Sequence, residues 1–335
     1  MMIMQNSFSF IIDHESDVPK YQQIVDVINQ SIAKDVLAIG DSLPSVNAFC
    51  QEHHLSRDTV FKAYTILKEN GVVKSVPNKG YYIASKNRKV LLVLDTFKAY
   101  KEVLYHSFIN EMEDDIITDV QFHHYNIDNF KTILNNSLGK YYKYVVMGFD
   151  HKQVSKTLAK IPNNDLLLID WNINSNPENN YVFQDFGVAF YKGLESITEN
   201  FKKYKALHFL YPTYTNHAKE TVAYFEKYCQ DNNFDYQIKT NPQEYKIEKG
   251  IAYLSVSDRV LGVFLEQCRK QNLEPGVDVG FLSYNDTPMK KFIYKGITVV
   301  TTDFEQLGIS AAKFINSDKP LQVYVPTKII VRDSL

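Results

Sequence analysis

The chain has 335 residues, of which 44% are hydrophobic and 23% charged, and its formal net charge is -2. That length allows two or three domains, and the composition is ordinary for a globular protein. Three widely spaced cysteines argue against a disulfide framework and a zinc knuckle, and no apolar run reaches the roughly 18 residues of a membrane span. The N-terminal run has no basic leader and no small-residue cleavage site, so we expect a cytoplasmic protein.

Charge is distributed unevenly along the N-terminal quarter of the chain. Residues 1–53 carry two Lys/Arg against seven Asp/Glu, whereas residues 54–89 carry eight against two. A local basic segment in a near-neutral chain suits a surface that binds a polyanion. A solvated basic face without a partner explains the same charge, so charge alone does not separate the two interpretations.

The first elements of the chain are two predicted helices. Pro19 is a favourable first helical residue, and apolar residues follow it at helical spacing as far as Val36. Gly40 and Asp41 end this element. The segment LPSVNAFCQEHH then predicts a second helix, with Ser45 as its N-cap.

The segment LSRDTVFKAYTILKENG, residues 55–71, predicts a third helix. Ser56 is the predicted N-cap, and Asp58 in the first turn suits the helix dipole. Its core-facing stripe, spaced i, i+3, i+4 and i+7, consists of Val60, Ala63, Tyr64 and Leu67. A β-hairpin follows, because two β-prone runs flank Pro77-Asn78-Lys79-Gly80.

Two helices joined by a short turn and followed by a hairpin form a winged helix-turn-helix pattern. The stretches PKYQQIVDVINQSI, LPS, SRDTVFKAY and KGYYI, in this order, resemble the winged-helix domain of GntR-type bacterial transcription regulators. The resemblance implies a DNA-binding domain over residues 1–84. It also implies that a double-stranded DNA operator is a partner.

Two arginines typical of that family are absent, because Asn47 and Phe61 stand at their positions. Arg57 is kept, and we expect it to contact a base edge, most often guanine. The alternative is a surface arginine paired with a carboxylate. Lys62 and Lys79 are expected to contact phosphates. The predicted DNA-binding residues are Ser45, Asn47, Ser56, Arg57, Thr59, Phe61, Lys62, Lys79 and Gly80.

Residues 85–89 (SKNRK) predict a linker, and alternating strands and helices follow it. The first series begins with the apolar run KVLLVLD, and a second series begins with YVFQD at residues 181–185. Such alternation predicts two doubly wound α/β lobes over residues 90–335, with a ligand cleft at the carboxyl ends of their strands.

Four C-terminal stretches carry a second resemblance. SVSDRVLGVFLEQCRKQNL, DVGFLSYNDTPM, TTDFEQLGISAAKFI and VPTKIIVRDSL resemble the effector domain of LacI-type repressors, which is similar to periplasmic sugar-binding proteins. The resemblance implies a sugar or sugar derivative as effector. Thr221 stands where that family often has a ligand-binding arginine, which weakens the case for a carboxylated effector.

The resemblance also implies which residues face the effector. Asn285 stands where an aspartate commonly binds it, with Asp286 next, and the Ser257-Asp258 pair replaces an Asn-Asp pair. Trp171 is placed to stack on a sugar, with core packing as the alternative. Helix capping is the alternative for Asp185 and Asn285. The full predicted set is Asp95, Thr96, Phe97, Trp171, Asp185, Ser257, Asp258, Asn285 and Asp286.

The leading hypothesis is a transcription regulator whose operator affinity is controlled by a small molecule bound between the lobes. A homodimer is expected, because paired half-sites match a two-fold axis. The alternative is a winged helix fused to a catalytic α/β domain acting on a small metabolite. The sequence has no P-loop, nucleophile elbow, HExxH motif or dinucleotide fingerprint. We therefore expect no catalytic residues, cofactor or metal.

Overall fold

The computed structural model describes residues 12–13, 15–16, 18–33, 36–84, 88–173, 176–317 and 319–335. Within these ranges the chain forms one three-stranded sheet and two six-stranded sheets. The order of elements is that of the expected fold class, a winged helix-turn-helix unit followed by a two-lobed, doubly wound α/β unit.

The N-terminal unit folds as its local sequence signals predict. Its elements are α1 (Lys20–Ala33), β1 (Ser42–Leu43), α2 (Val46–His53), α3 (Arg57–Glu69), β2 (Val73–Val76) and β3 (Gly80–Ile83). β3 pairs antiparallel with both β1 and β2, and Val76 pairs with Gly80 across the predicted hairpin turn. Asn78 and Gly80 have φ of 61° and 100°, which a tight turn requires and glycine adopts at no steric cost. The predicted stripe of α3 is fully buried against α1.

The remainder of the chain alternates between strands and helices. Its first half contains β4 (Arg88–Leu94), α4 (Ala99–Asn110), β5 (Ile116–Phe122), α5 (Ile127–Ser137), β6 (Lys143–Met147), α6 (Lys152–Leu158), β7 (Leu166–Asp170), β8 (Asn180–Gln184), α7 (Val188–Ser196) and α8 (Thr198–Phe201). Its second half contains β9 (Ala206–Leu210), α9 (Glu220–Asp231), β10 (Tyr236–Lys239), β11 (Ile251–Ser255), α10 (Asp258–Gln271), β12 (Gly280–Tyr284), β13 (Thr298–Thr302), α11 (Phe304–Ile315), β14 (Gln322–Val325) and β15 (Thr327–Ile330).

These strands form the sheets of two lobes. The first-lobe sheet has the order β14-β8-β7-β6-β4-β5, with every pair parallel. The second-lobe sheet has the order β10-β9-β11-β12-β13-β15, and only its β13–β15 pair is antiparallel. Parallel strands buried on both faces explain the continuous apolar runs of the sequence.

Within the described ranges the chain crosses between the lobes three times, after β8, after β13 and between β14 and β15. The prediction that YVFQD begins the second lobe is wrong, because β8 pairs with β7 and β14 in the first-lobe sheet. α11 likewise returns to pack on α4 in the first lobe. A strand's sequence shows that it is buried, but its sheet is decided by contacts with distant segments.

The structure also sets element boundaries that the sequence pattern leaves undefined. α4 ends at Asn110, and β5 begins at Ile116. α9 begins at Glu220, and the nine residues before it form a loop that starts beyond β9. Of the predicted linker, residues 85–87 lie outside the described residues, and Arg88 and Lys89 belong to β4.

α1 also contacts the first lobe. A side chain at Gly139 (φ +75°) would overlap the carboxamide of Gln22, which is only 5% exposed. Asp26 accepts a hydrogen bond from Gln22 Nε2 at 2.5 Å and lies close enough to Asp165 of the first lobe to be repelled by it. Burial, together with Asp165, raises the pKa of the Asp26 carboxyl to about 7.

Candidate nucleic-acid interface and interlobe cleft

Serine caps fix the start of both helices of the helix-turn-helix. Ser45 Oγ accepts from Ala48 N at 3.1 Å, and Ser56 Oγ accepts from Thr59 N at 3.2 Å. His54 closes α2 in the left-handed region (φ 51°), so the chain turns within a few residues. Ser45, Ser56 and Thr59 are therefore engaged in capping, since the hydroxyls of Ser56 and Thr59 also lie 2.7 Å apart.

The outer face of α3 exposes three of the predicted residues. Arg57 and Phe61 lie one turn apart on the same face, and Phe61 is 56% exposed. Lys62 is also exposed, and its Nζ lies 3.7 Å from the centre of the Tyr21 ring, which holds it beside α1. Asn47 is exposed on α2.

The hairpin presents the remaining predicted residues at its turn. Lys79 is exposed, and its backbone carbonyl accepts a hydrogen bond from Tyr82 OH at 3.0 Å. Gly80 is partly exposed and forms the first residue of β3. An exposed cation on a braced turn is suited to a phosphate contact.

A cavity of about 490 Å³ lies between the two lobes. The first-lobe residues that line this cavity lie at or beyond the carboxyl ends of parallel strands, as expected for doubly wound sheets. Residues from this lobe are Asp95, Thr96, Lys98, Tyr100, Tyr125, Asp170, Trp171 and Gln184. Second-lobe residues are Phe186, Tyr214, Thr215, Asn216, His217, Ala218, Val256, Ser257, Asp258, Arg259, Tyr284 and Asn285.

Buried ionic and hydrogen-bonded groups form the first-lobe wall. Asp95 is 4% exposed, pairs with the Lys101 ammonium and accepts a hydrogen bond from Tyr125 OH. Burial lowers the pKa of Lys101 to about 8. Asp170 accepts a hydrogen bond from Gln184 Nε2. Both carboxylates are thus held in fixed positions at the cleft.

A buried lysine organises the second-lobe wall. Lys290 is 2% exposed, and its Nζ donates to the carbonyls of Tyr284 and Asn285 at 3.0 and 2.6 Å and contacts Asp258 Oδ1 at 2.7 Å. Burial lowers the pKa of Lys290, whereas Asp258 opposes that shift. Lys290 therefore positions two predicted cleft residues, Asn285 and Asp258, without lining the cavity itself.

In the second-lobe wall, Asn285 Oδ1 and His217 Nε2 are both shielded from solvent and have no hydrogen-bond partner within the described part of the chain. Burial, and to a smaller extent the charge of Lys98, lowers the pKa of His217 to about 3. Its imidazole is therefore neutral at physiological pH. A neutral imidazole and a free amide oxygen can both hydrogen-bond a hydroxylated ligand.

Three non-glycine residues of the cleft have left-handed backbones: Tyr125 (φ 56°), Asp170 (φ 78°) and Asn285 (φ 59°). Each lies just beyond or at the end of a strand. Such conformations are costly for residues with a Cβ, and they concentrate at functional sites.

Three predicted effector residues lie outside the cavity lining. Phe97 is 51% exposed, and its ring makes edge contacts with two other aromatic rings of the first lobe. Asp185 lines an adjoining recess, where its carboxylate accepts a hydrogen bond from Gly187 N at 3.0 Å. Asp286 pairs with Arg332 through two hydrogen bonds of 2.9 and 2.6 Å. Both carboxylates are therefore engaged by groups of the protein itself.

Several cleft residues were not anticipated from the sequence, chiefly Lys98, Tyr125, His217 and Arg259. Their common signal is position, because each lies between three and seven residues beyond the end of a strand. Arg259 lies over the ring of Tyr214, with its guanidinium carbon 5.0 Å from the ring centre. Trp171 lines the cleft and two adjoining recesses.

Among the described residues, no three His, Cys, Asp or Glu side chains gather where they could hold a metal ion. In the part of the chain that the structure covers, no helix has the length and apolar character that crossing a bilayer requires.

A winged helix-turn-helix joined to a two-lobed α/β unit with an interlobe cleft defines the class of DNA-binding transcription regulators. The profile described as "Bacterial regulatory proteins, gntR family" matches residues 20–83. The repressor YtrA of Bacillus subtilis is 34% identical over 93 residues, which are 28% of this chain and 71% of that protein. The chain belongs to the gntR family of bacterial regulatory proteins.

A second relative matches over a smaller share of its length. The mannosyl-D-glycerate system repressor MngR of Escherichia coli is 38% identical over 65 residues, which are 19% of this chain and 27% of that protein. Both MngR and YtrA are repressors.

Solved structures share the fold of the larger part of the chain. The trehalose repressor of Escherichia coli aligns with a TM-score of 0.61 at 12% identity, over 73% of this chain and 100% of that one. The regulator CcpA of Lactococcus lactis aligns with a TM-score of 0.61 at 13% identity, over 74% and 99%. The fold is therefore the periplasmic-binding-protein-like fold of LacI-type repressors, attached to a GntR-type winged helix.

Proposed function

We propose that this regulator changes its affinity for a DNA operator when a sugar or sugar derivative binds in the interlobe cleft. The observation that carries the proposal is the cleft itself, a 490 Å³ cavity between two lobes. Its walls present carboxylates, amides, hydroxyls and one neutral imidazole, with Trp171 beside them. Such a mixture suits a molecule with many hydroxyl groups and an apolar ring face.

Names of similar proteins support the same class of effector. The trehalose repressor has the fold of this chain, and the repressor MngR of the mannosyl-D-glycerate system shares its winged helix.

The proposed division of the chain is a DNA-binding unit over residues 1–84, a linker near residues 85–89 and an effector-binding unit over residues 90–335. In the first unit, the residues proposed to contact DNA are the exposed Asn47, Arg57, Phe61, Lys62 and Lys79. In the second unit, the residues proposed to contact the effector are Asp95, Thr96, Trp171, Ser257, Asp258 and Asn285, all of which line the cleft.

The proposed assembly is a homodimer that acts in the cytoplasm, where its DNA is. One apolar surface suits the dimer contact: Met289, Phe292 and Tyr294 in the second lobe are 67%, 77% and 49% exposed. Large exposed side chains in one short segment are typical of interfaces. A two-fold dimer presents two winged helices to paired half-sites. We assign no catalytic step to either unit.

The proposal is tested by titrating the full chain with neutral monosaccharides and disaccharides and with their phosphates. Trp171 is the only tryptophan of the chain, so its fluorescence reports on the cleft without a label. A ligand that binds should shift this emission, raise the melting temperature and change operator affinity at the same concentration. Binding that leaves operator affinity unchanged would refute ligand control of DNA binding.

A further inference from the structure

The surface of α3 contains a large apolar side chain where a polar one is expected. Phe61 is 56% exposed, whereas Val60 and Tyr64 beside it are fully buried. Among the described residues, none of the aromatic ring contacts involves Phe61. Its ring is therefore not part of the winged-helix core, and it faces outward on the same side as Arg57.

The surroundings of Phe61 are polar and basic. Arg57 precedes it by one helical turn, and Lys62 follows it next in the chain. This is the face that a helix-turn-helix turns toward the major groove. A phenyl ring forms no hydrogen bond with a base edge. Of the groups that base pairs present in the major groove, the C5-methyl of thymine is the apolar one.

We infer that Phe61 is a specificity residue that contacts a thymine methyl group, beside the base that Arg57 contacts. The inference rests on the proposed DNA-contacting role of α3 and extends it to a base. Residues four apart lie about 6 Å apart along a helix axis, because the rise is roughly 1.5 Å per residue. Base pairs are spaced by about 3.4 Å. The thymine should thus lie within about two base pairs of the base contacted by Arg57.

The test begins by selecting operators from randomised duplex DNA with the full wild-type chain. Each thymine of the selected half-site is then replaced, one at a time, by deoxyuridine, which removes only the methyl group. At one position per half-site the replacement should weaken wild-type binding about fourfold, which is the contribution of burying one methyl group. Other positions should change little.

The Phe61→Ala variant should bind the thymine and uracil duplexes equally, because it has no ring to contact the methyl group. Lys62→Ala serves as the matched control on the same helix. It should weaken binding to both duplexes to the same degree and keep the fourfold difference. Phe61 is exposed, so its replacement should leave the melting temperature unchanged, and that is measured alongside.

Three results would overturn the inference. One is a selected half-site without thymine near the Arg57 position, and another is a wild-type protein insensitive to every uracil replacement. The third is a Phe61→Ala variant that keeps the fourfold difference, which would show that a group other than Phe61 contacts the methyl. A wild-type chain that enriches no duplex at all would contradict the DNA-binding role itself, and is distinguishable from all three.

Discussion

Thr302 donates a hydrogen bond through its hydroxyl to Gln184 Oε1 across 2.7 Å, and both side chains are almost fully buried. Thr302 ends β13 in the second lobe, whereas Gln184 ends β8 in the first. Gln184 also donates to Asp170 in the cleft. One hydrogen-bonded chain thus joins the ligand cavity to the segments that cross between the lobes.

Replacing Thr302 by valine should disturb this hydrogen-bonded connection between the two lobes. The change removes the hydroxyl at nearly constant shape and leaves Gln184 Oε1 buried without its donor, at a cost of about 1–3 kcal/mol. We expect a lower melting temperature and a changed coupling between ligand and operator, measured by operator affinity with and without the ligand. Thr302→Ser keeps the hydroxyl and is the control. Equal coupling in valine, serine and wild-type proteins would contradict the role of this hydrogen bond.

Replacing Lys290 by methionine should damage the second-lobe wall. It leaves two carbonyls and the Asp258 carboxylate without the contacts of the ammonium group, which should cost about 2–4 kcal/mol. Ligand affinity, measured through Trp171 fluorescence, should fall at least tenfold because Asn285 is displaced. Lys291→Met removes the neighbouring exposed lysine and should change neither quantity. Unchanged affinity in Lys290→Met would show that Lys290 does not position the cleft.

Replacing Arg57 by alanine should weaken operator binding by about 1–3 kcal/mol, because a base-edge contact of that strength is lost. Binding of the cleft ligand should not change. Lys68→Ala, at the other end of α3, is the control and should have a much smaller effect. For the wild type, operator affinity should fall steeply as salt increases, since phosphate contacts release counterions. Full operator affinity in Arg57→Ala would remove Arg57 from the interface.

Asp26 should make the contact between α1 and the first lobe sensitive to pH. Its folded pKa of about 7 lies above the usual value of 3.8, so the folded protein binds the extra proton between these values. The free energy of unfolding should therefore be highest near the lower of these two values. It should decrease as pH rises from there to about 7, by up to about 4 kcal/mol in total. Asp26→Asn should flatten the dependence and raise the melting temperature at pH 8. Asp128→Asn, at an exposed carboxylate, should leave the curve unchanged.

Replacing Phe292 by glutamate should separate the proposed dimer. A charge in the middle of an apolar contact is left without a partner, so sedimentation should show monomer at concentrations where the wild type is dimeric. Operator affinity should fall, because two half-sites no longer bind as a unit. Ile39→Glu, at another exposed apolar position but in the N-terminal unit, is the control. A Phe292→Glu protein that stays dimeric would place the interface elsewhere.

The N-terminal unit could be predicted almost completely because its signals are local. The cap at Ser56, the stripe from Val60 to Leu67 and the turn at Asn78-Lys79-Gly80 each specify their structure within a few residues. Local signals also predicted the alternation of strands and helices in the two lobes. They did not assign β8 to its sheet, because that depends on pairing with β14, which lies about 140 residues further along the chain.

The cleft was predicted only in outline. Asp95, Trp171 and Asn285 line it as expected, because strand ends converge in this fold. Lys290 could not be anticipated, since a lysine in the segment PMKK is typical of a solvent-exposed turn. Its burial depends on the carbonyls of Tyr284 and Asn285 and on Asp258, which only the folded chain brings together.

Residues 322–335 add an edge strand to each lobe, through β14 in one sheet and β15 in the other. During translation these residues leave the ribosome after β1 to β13. The winged helix, complete by Ile83, can therefore fold while both α/β lobes still lack a strand. Under the proposed function, a nascent chain would acquire its DNA-contacting surface before its effector cleft is complete.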